Sequence, residues 1–526
     1  MAVACVDVSS VISPARQDVP RPSGRDPVPL AALAQAPGDR LTGAAPDPGA
    51  VLVRGITAAS GRVQPGDLFA GVPGARAHGA QFSAEAIGAG AVAVLTDPAG
   101  AALVPAGTPI LLTDEVRAAL GPMAARIYGQ PSRSLAMLGV TGTSGKTTTT
   151  FLVRAGLVAA GVPSGLIGTV ATMIGEQTLK TEFTTPEAPE TQALLGVMVD
   201  RGVSAVAMEV SSHGLAMRRA DGIAFEVGAF TNLSQDHLDY HRDMEDYFAA
   251  KAKLFDGRAR TPIIMVDDEW GRRLAAMVGE RAVTVSAAGR AGATWRAVDV
   301  TADALAGNRF RAVGPDLDFA AGCAVPGGYN VANALLALAI LHAAGVDPAR
   351  VAPAVAAALV PGRMERVDEG QPYLAVVDYS HKPAAIEGAL RALRSVTRGR
   401  LIVVLGCGGD RDRGKRPLMG EAAARGAELL LVTDDNPRSE DPAAIRRAML
   451  DGALAAPAGQ RGEVREIDGR AAAIAAAVAA ARPGDTVLIA GKGHELGQEI
   501  GGVTHPFDDR VELRGAIRAA GSGALA

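Results

Sequence analysis

The chain is poor in cysteine and in aromatic residues. Its 526 residues include three cysteines, and phenylalanine, tryptophan and tyrosine together make up 4% of the chain. The cysteines, Cys5, Cys323 and Cys407, are far apart and form no CxxC pair. This spacing argues against a disulfide framework or a zinc ribbon and is typical of a reducing compartment. We therefore expect a cytoplasmic protein.

The chain also lacks an excess of charge of one sign. Its 52 lysine and arginine residues stand against 56 aspartate and glutamate residues, which gives a formal net charge of −4. A nucleic-acid backbone or an anionic membrane would require a broad basic surface, which this balance does not provide. We expect no nucleic-acid partner, and any bound anion must be held by a local site.

Long apolar runs are missing as well. The stretch 471–481 is short and mostly alanine, and the stretch 331–346 is interrupted by Asn333 and His342. A membrane-spanning helix needs about 20 consecutive, predominantly apolar residues, so we expect no membrane span. The first residues carry several prolines and scattered charges without the apolar run of a signal peptide, which predicts a loose extension over residues 1–35.

The remaining pattern predicts an α/β protein with three domains. Short apolar strands and small turns predict a small α/β domain over residues 36–130. Alternating strands and helices predict a central α/β domain over residues 131–360. The pattern restarts near Pro361 and predicts a C-terminal, Rossmann-like doubly wound domain over residues 361–526.

A glycine-rich segment at the start of the central domain predicts a phosphate-binding loop. The sequence from Gly139 to Thr148, GVTGTSGKTT, follows an apolar strand and opens a helical pattern. In such loops, backbone N–H groups and the helix N-terminus face phosphate oxygens. Lys146 would reach the β- and γ-phosphates and Thr147 would bind Mg²⁺. The loop departs from GxxxxGK[ST], because Val140 stands where that pattern has glycine. We expect a P-loop ATPase-like domain that binds ATP.

This loop variant resembles that of the Mur ligases, the ATP-dependent amide-forming enzymes of peptidoglycan precursor synthesis. Later motifs are similar to the family pattern in the same order over about residues 50–510. Within the family the chain is most similar to the MurE type, which adds the third residue to UDP-N-acetylmuramoyl-L-alanyl-D-glutamate. The motifs are EVSSHGL at 209–215, TNLSQDHLDYH at 231–241, YNVAN at 329–333, GRME at 362–365, DYSHKP at 378–383, DNPR at 435–438 and GKGHE at 491–495.

The resemblance implies an ATP site in the central domain with residues added from the C-terminal domain. Lys146, Lys251 and His237 are implied as catalytic. The implied ATP-binding residues are Thr141, Gly142, Thr143, Ser144, Gly145, Lys146, Thr147, Thr148, Asn330, Asn333, Arg363 and Asp378.

The resemblance also implies two Mg²⁺ positions. Thr147 and Glu209 offer hard oxygen ligands, and Glu209 at the end of an apolar strand needs a partner if it is buried. The family adds His237 and a carbamate formed from CO₂ on Lys251. A carbamate requires an unprotonated amine, which burial favours because it lowers the pKa of lysine. The family implies that the motif at 378–383 belongs to a hinge segment that brings the third domain onto ATP. Within this hinge segment, Ser380 and Lys382 replace the alanine and threonine usual in relatives, and Lys382 alters the local charge.

The substrate residues implied by the family match less completely. Ser60, Thr184, Thr185, Ser211 and Arg219 are implied to hold the UDP-muramoyl dipeptide. The flanks of Ser60 are alanine and glycine, where many relatives have Asp-Ser-Arg. Without the resemblance, these hydroxyl groups fit turn and cap chemistry equally well.

The amino acid that is added is the finer question, since MurE-type enzymes accept meso-diaminopimelate or L-lysine. A planar arginine fork binds a carboxylate at two points, so Arg438, helped by Arg411, suits the extra carboxylate of diaminopimelate. Asp435 and Glu495 are candidates for the distal ammonium group. The implied amino-acid site comprises Arg411, Asp435, Asn436, Pro437, Arg438, Gly491 and Glu495.

Together these motifs predict an ATP-dependent ligase that adds meso-diaminopimelate through an acyl phosphate. Residues 36–130 would bind the UDP-substrate, residues 131–360 ATP and residues 361–526 the amino acid. Three alternatives stay open: an L-lysine-adding ligase, a folylpolyglutamate-synthase-like ligase, and a non-catalytic nucleotide-binding module. The partners expected are the small-molecule substrates. The sequence leaves the oligomeric state open, with a monomer as the expectation.

Overall fold

The computed structural model describes residues 19–43, 47, 50–74, 77–179, 183–238, 240–303 and 307–523. Residues 1–18 of the predicted extension, with Cys5, lie outside the described residues, as does Asp239 of the motif at 231–241. The chain divides into two compact units. The first comprises Met1–Leu135, Ala171–Ser204 and Gly214–Ala224, and the second comprises Ala136–Val170, Ala205–His213 and Phe225–Ala526.

The helices and strands follow one another in three runs along the chain. The first run is β1 (Val28–Pro29), β2 (Arg40–Thr42), β3 (Leu52–Val53), β4 (Gly55–Thr57), β5 (Asp67–Ala70), α1 (Ser83–Gly88), β6 (Ala93–Thr96), α2 (Pro98–Ala101), β7 (Ile110–Leu112) and α3 (Val116–Ile127).

The second run contains the phosphate loop. It is β8 (Ala136–Thr141), α4 (Lys146–Ala159), β9 (Ser164–Ile167), β10 (Thr172–Ile174), β11 (Gln177–Leu179), α5 (Ala188–Asp200), β12 (Ala205–Glu209), α6 (Ser212–Ala216), β13 (Phe225–Phe230), α7 (Met244–Ala252), β14 (Ala259–Met265), α8 (Glu269–Val278), β15 (Val283–Ser286), β16 (Trp295–Asp303), β17 (Gly307–Gly314), β18 (Leu317–Cys323), α9 (Gly328–Ala343) and α10 (Pro348–Ala357).

The third run alternates strands and helices. It is β19 (Glu365–Arg366), β20 (Leu374–Asp378), α11 (Pro383–Arg394), β21 (Leu401–Leu405), α12 (Lys415–Gly426), β22 (Leu429–Val432), α13 (Pro442–Ala455), β23 (Glu463–Glu466), α14 (Arg470–Ala480), β24 (Thr486–Ala490), β25 (Gly497–Ile500), β26 (Val503–Pro506) and α15 (Asp509–Gly523). Among the described residues, no helix is long and apolar enough to cross a membrane.

The first unit is built on a five-stranded sheet in the order β2-β7-β6-β5-β4. Strands β4 to β7 run parallel, and β2 pairs with β7 in the antiparallel direction. The described part of the extension is tied to this unit, because the Nη2 atom of Arg21 donates to Oδ2 of Asp67 at 2.9 Å. Asp67 is buried at the start of β5, so this ion pair supplies the partner that a buried carboxylate needs.

The second unit contains a sheet in which nine strands follow the order β9-β12-β8-β13-β14-β15-β16-β17-β18. The strands from β9 to β16 are parallel, and β17 and β18 continue the sheet in antiparallel pairing. Because parallel strands end at one edge, the loops after β8, β12 and β13 meet there. This edge carries the phosphate loop, Glu209 and the segment 231–238.

A second sheet of the same unit, in the order β19-β20-β24-β21-β22-β23, confirms the predicted doubly wound pattern. Alternate residues of β21 enter two separate cores. Leu401, Val403 and Leu405 pack with residues of α11, α12 and α13 on one face. Ile402 and Val404 pack with residues of α14 and α15 on the other face. The sheet is therefore covered by helices on both faces, as a parallel sheet requires.

One buried ion pair in this layer gives a stability prediction. The guanidinium group of Arg470 is fully buried, and its Nε and Nη2 atoms contact the carboxylate of Asp509 at 2.7 Å each. Removing one partner of such a pair leaves an uncompensated charge, at a cost of about 3–5 kcal/mol. We expect Arg470→Met to lower the free energy of unfolding by about that amount.

Urea unfolding followed by circular dichroism measures this loss. The matched control is Arg465→Met, which removes an exposed pair with Glu463 and should leave the free energy of unfolding nearly unchanged. Equal effects of the two substitutions would contradict the prediction.

Candidate active site

The phosphate loop lies between β8 and α4, and its glycines are required by its geometry. Gly142 and Gly145 have φ values of 145° and 87°, a backbone region that residues with a side chain rarely adopt. A Cβ atom on Gly142 would collide with Oγ1 of Thr231, and one on Gly145 would collide with Oδ1 of Asn333. The loop is thus packed against the residue that follows β13 and against α9, where Asn333 lies.

The loop is held by residues that the sequence did not single out. The backbone N–H of Thr143 donates to the carbonyl of Asn232 at 2.9 Å, and the N–H of Ser144 donates to Oδ1 of Asn232 at 3.1 Å. The hydroxyl of Thr231 donates to the carbonyl of Ser144 at 2.7 Å. Thr231 and Asn232 both belong to the motif at 231–241, so that motif is the sequence signal that could have identified them as residues that hold the loop. The remaining predicted loop residues, Thr141 and Thr148, end β8 and lie in the first turn of α4.

Two lysine side chains converge on one carbonyl of this loop. The Nζ atoms of Lys146 and Lys251 approach the carbonyl oxygen of Gly142 at 2.9 and 2.7 Å. Burial lowers the pKa of Lys146 to about 8, although Glu209 opposes this shift. Burial and the neighbouring Lys146 place the pKa of Lys251 well below its usual value. The loop therefore concentrates nitrogen groups that suit a highly charged anion.

Thr147 and Glu209 form the oxygen-rich side of the site. The Oγ1 atom of Thr147 donates to Oε2 of Glu209 at 3.0 Å. Glu209 is fully buried at the end of β12 and also accepts hydrogen bonds from the N–H and hydroxyl of Thr169 at 2.8 and 3.1 Å. A hydroxyl beside a carboxylate is the hard-oxygen ligand set that Mg²⁺ prefers. Among the described residues, no three His, Cys, Asp or Glu side chains gather as a metal-ligand cluster.

His237, the third predicted metal ligand, belongs to a separate group of side chains. Its Nε2 atom lies 3.1 Å from Oδ2 of Asp236, and its ring contacts that of His213 with 4.8 Å between the centroids. The backbone of His237 is left-handed, with φ of 54°, a strained state that is common at functional sites. Burial lowers the pKa of His237 to about 4, so the ring is neutral at pH 7.

The group around His237 also includes Lys382, which departs from the hinge sequence usual in relatives. Its ammonium group forms an ion pair with Asp236. Burial would raise the pKa of Asp236, but Lys382 and His237 lower it to about 2. Lys382 thus fixes a charged carboxylate beside the imidazole of His237.

Residues from the start of the third run reach the phosphate loop. The guanidinium group of Arg363 lies 4.5 Å from the ring centre of Tyr379, and its Nη2 atom approaches Oγ1 of Thr147 at 3.5 Å. Asp378 accepts hydrogen bonds from the N–H groups of Met364 and Ser380 at 2.7 and 2.8 Å, so it holds the hinge segment. Asn330 donates to the carbonyl of Pro326 at 2.9 Å, which places it at the start of α9.

Six of the predicted amino-acid residues lie on loops that follow β22 and β24, and Arg411 lies on the loop that follows β21. The Nη1 atom of Arg438 donates to the carbonyl of Gly409 at 2.6 Å, and its Nε atom lies 3.2 Å from Oε2 of Glu499. Asn436 donates from Nδ2 to Oε2 of Glu495 at 2.8 Å.

Three further predicted residues complete the description of this group. Asp435 is buried beside Gly491, where a Cβ atom would lie 2.5 Å from Oδ2 of Asp435. Pro437 is buried between Asn436 and Arg438, whereas Arg411 is exposed. The structure therefore brings together the predicted residues of the DNPR and GKGHE motifs, and Arg411 lies two positions after Gly409, whose carbonyl accepts from Arg438.

The predicted dipeptide residues are distributed over the two units. In the first unit, Nη2 of Arg219 contacts Oε1 of Glu187 at 2.8 Å, and Nη1 donates to the carbonyl of Thr185 at 3.2 Å. Thr184 precedes Thr185 in this segment, and Ser60 begins a turn of 3₁₀ helix. In the second unit, Ser211 follows β12.

Comparisons with known proteins identify the family. Three family descriptions match the chain: Mur ligase family, catalytic domain, over residues 52–128; Mur ligase middle domain over residues 140–341; and Mur ligase, glutamate ligase domain, over residues 362–493. The UDP-N-acetylmuramoyl-L-alanyl-D-glutamate–2,6-diaminopimelate ligase of Streptomyces coelicolor is 55% identical over 502 residues, which cover 95% of this chain and 98% of that protein. The chain belongs to the Mur ligase family.

Solved structures of Mur ligases and related enzymes agree with this membership. A UDP-N-acetylmuramoyl-L-alanyl-D-glutamate–2,6-diaminopimelate ligase matches with a TM-score of 0.68 and 32% identity, over 94% of this chain and 99% of that one. The folylpolyglutamate synthase of Mycobacterium tuberculosis matches with a TM-score of 0.57 and 20% identity, over 72% and 92%, and shares the fold alone. The predicted family and three-domain α/β architecture are confirmed.

Lys382 gives a prediction for this Mur ligase that concerns proton binding. Because the positive charge of Lys382 lowers the pKa of His237, Lys382→Met should raise that pKa above about 4. Titration of labelled histidine by NMR measures the shift, and His237→Gln assigns the signal. Lys253→Met, at an exposed position, should leave the titration unchanged. An unchanged or lower pKa of His237 in Lys382→Met would refute the prediction.

Proposed function

We propose that this Mur ligase joins the amino group of meso-diaminopimelate to the γ-carboxyl group of D-glutamate in UDP-N-acetylmuramoyl-L-alanyl-D-glutamate, with conversion of ATP to ADP and phosphate. The observation that carries the proposal is the meeting of Lys146, Lys251, Thr147 and Glu209 at one phosphate loop. The relatives' names supply the substrate class, and the DNPR and GKGHE loops supply groups that suit diaminopimelate.

The chemistry explains why the cationic side chains are needed. A carboxylate does not react with an amine in water, so the carboxylate oxygen first takes the γ-phosphoryl group of ATP and ADP leaves. The amine then attacks the carbonyl carbon of the acyl phosphate, phosphate leaves, and the ammonium proton is released. Lys146 and the N–H groups at the start of α4 stabilise the charge that moves between the phosphates.

The residues present fit Mg²⁺ beside this loop. Thr147 and Glu209 supply a hydroxyl and a carboxylate 3.0 Å apart, next to the helix N-terminus where phosphates bind. Bound there, Mg²⁺ neutralises phosphate charge. Glu209 keeps its orientation through Thr169, so this side of the site is preorganised. His237 is proposed as a further ligand, and its neutral ring suits that role.

We extend the proposal to a carbamate on Lys251. Its amine is enclosed, and burial together with the charge of Lys146 lowers its pKa well below the usual value, which favours the unprotonated form that reacts with CO₂ and releases one proton. The product is an anionic carbamate on a side chain that shares the carbonyl of Gly142 with Lys146. A negative charge there would balance the lysine cluster and offer an oxygen ligand to a second Mg²⁺.

The amino-acid loops favour diaminopimelate over L-lysine. The fork of Arg438 is held by Gly409 and Glu499, and it suits the distal carboxylate that L-lysine lacks. Asp435 supplies a buried negative charge for the distal ammonium group. With L-lysine, the guanidinium group would lose its substrate partner.

The remaining parts of the proposal concern the first unit and the setting of the reaction. Ser60, Thr184, Thr185 and Arg219 of the first unit are proposed as residues for the UDP-muramoyl dipeptide, and Ser211 is proposed separately as a substrate residue of the second unit. We place the enzyme in the cytoplasm, where ATP and nucleotide-activated sugars are made. The reaction itself needs no second copy of the chain, so we propose a monomer.

The ligase reaction is tested directly with purified protein. Supplied with ATP, Mg²⁺ and UDP-N-acetylmuramoyl-L-alanyl-D-glutamate, the protein should form the tripeptide product with meso-diaminopimelate and not with L-lysine, as measured by mass spectrometry. Lys146→Ala should reduce kcat by about 10²–10³-fold, because a group that stabilises the transferring charge is lost. Lys253→Ala is the matched control. Product with L-lysine alone would overturn the selectivity, and no product with either would overturn the ligase.

The carbamate is tested with ¹³C-labelled bicarbonate. We expect a carbamate carbon signal in the NMR spectrum of the wild-type protein, and loss of that signal in Lys251→Arg, because a guanidinium group forms no such carbamate. Lys253→Arg should keep the signal. A spectrum without the signal in the wild type, or with it in Lys251→Arg, would disprove the assignment.

A further inference from the structure

A lysine outside the predicted site is enclosed between the two amino-acid loops. Lys492 has an exposed fraction of 0%. A buried ammonium group needs charged or polar partners, because its transfer from water is costly. Its Nζ atom donates to Oδ1 of Asn436 at 2.9 Å and to Oε2 of Glu495 at 3.0 Å. Both partners are residues that the proposed function assigns to the amino-acid site.

These three side chains form a closed triangle of hydrogen bonds. The Nδ2 atom of Asn436 donates to the same Oε2 atom of Glu495 at 2.8 Å. The N–H of Glu499 adds a second donor to Oδ1 of Asn436 at 3.0 Å. The oxygen of this amide accepts two hydrogen bonds and its nitrogen donates one, so the amide of Asn436 satisfies all three in one orientation.

The triangle joins loops whose strands do not pair with each other. Asn436 follows β22 and Glu495 follows β24, and β21 lies between these strands in the sheet. Without Lys492, the contact left between these two side chains would be the single bond from Asn436 to Glu495. Backbone hydrogen bonds of Arg438 with Glu499 and Gly501 join the loops themselves, so the ammonium group acts on the position of these two side chains.

The triangle also determines which charged groups of the site are paired with each other. Lys492 compensates Glu495 inside the protein, and Glu499 lies beside Arg438 at 3.2 Å. The carboxylate of Asp435 is buried in the same group. Lys492 and Arg438 are thus each paired with a carboxylate, and Glu495 contributes an oriented hydrogen-bond acceptor.

We propose that Lys492 is a positioning residue that sets amino-acid selection by fixing Asn436 and Glu495. This role rests on the proposed function. Lys492 forms hydrogen bonds with side chains assigned to the amino acid and, among the described residues, with none assigned to ATP. Its loss should therefore weaken binding of the amino acid and leave binding of ATP unchanged. The three Michaelis constants of the reaction separate this role from a general structural one.

The test compares Lys492→Met with the wild type in the ligation assay. We expect KM for meso-diaminopimelate to rise by about tenfold or more, because one charged hydrogen bond is lost. KM for ATP and KM for the UDP-dipeptide should stay nearly unchanged. kcat at saturating diaminopimelate should also stay nearly unchanged, and the preference over L-lysine should fall. Lys492→Gln, which keeps a donor without the charge, should give a smaller rise, and Lys253→Met should give none.

A double substitution tests whether Lys492 acts through Glu495. If it does, Lys492→Met/Glu495→Gln should raise KM for diaminopimelate no further than Glu495→Gln alone. Additive effects, an unchanged KM, or a parallel rise of all three KM values with a lower unfolding temperature would overturn the role. Failure of the wild type to use diaminopimelate would instead overturn the proposed function, and this role with it.

Discussion

The active-site half of this molecule depends on one constraint: two lysine side chains share a single backbone carbonyl. Lys146 and Lys251 can approach Gly142 so closely because burial and mutual repulsion disfavour a second full positive charge. Thr231 lies so close to Gly142, and Asn333 so close to Gly145, that neither position has room for a side chain. The phosphate loop, the sheet edge and helix α9 thus pack together around charged groups that are buried away from water.

The sequence predicted the parts of the site that depend on local pattern. The strand-loop-helix around Lys146, Glu209 at the end of an apolar strand and the doubly wound third run follow from periodicity and turn chemistry, and the family resemblance is confirmed. The contact of Lys382 with Asp236 joins residues 146 positions apart, which no local pattern encodes. The triangle around Lys492 was not predicted from the sequence for the same reason. Arg411 was chosen from its motif, and its side chain is exposed. The roles assigned to site residues stay predictions.

The third run uses buried ion pairs to organise loops as well as to support the sheet. Arg470 donates to the carbonyl of Asp434 at 3.2 Å and to that of Ala490 at 2.8 Å, directly before the two amino-acid loops. A buried pair of this kind is weak support for stability compared with apolar packing, because both charges must leave water. The pair instead fixes geometry, because a guanidinium group with several fixed donors holds two strand ends in one relative position.

The interleaving of the two units has a consequence for the order in which the protein is made. The first unit needs segments 171–204 and 214–224, and Arg25 pairs with Asp200 at 2.7 Å. A ribosome must therefore translate β8, α4 and β9 of the second unit before the first is complete. The first unit therefore cannot complete its folding until residue 224 has been made, unlike a domain formed from one continuous segment. Its first segment waits while roughly a hundred further residues are added, which takes about 5–20 s.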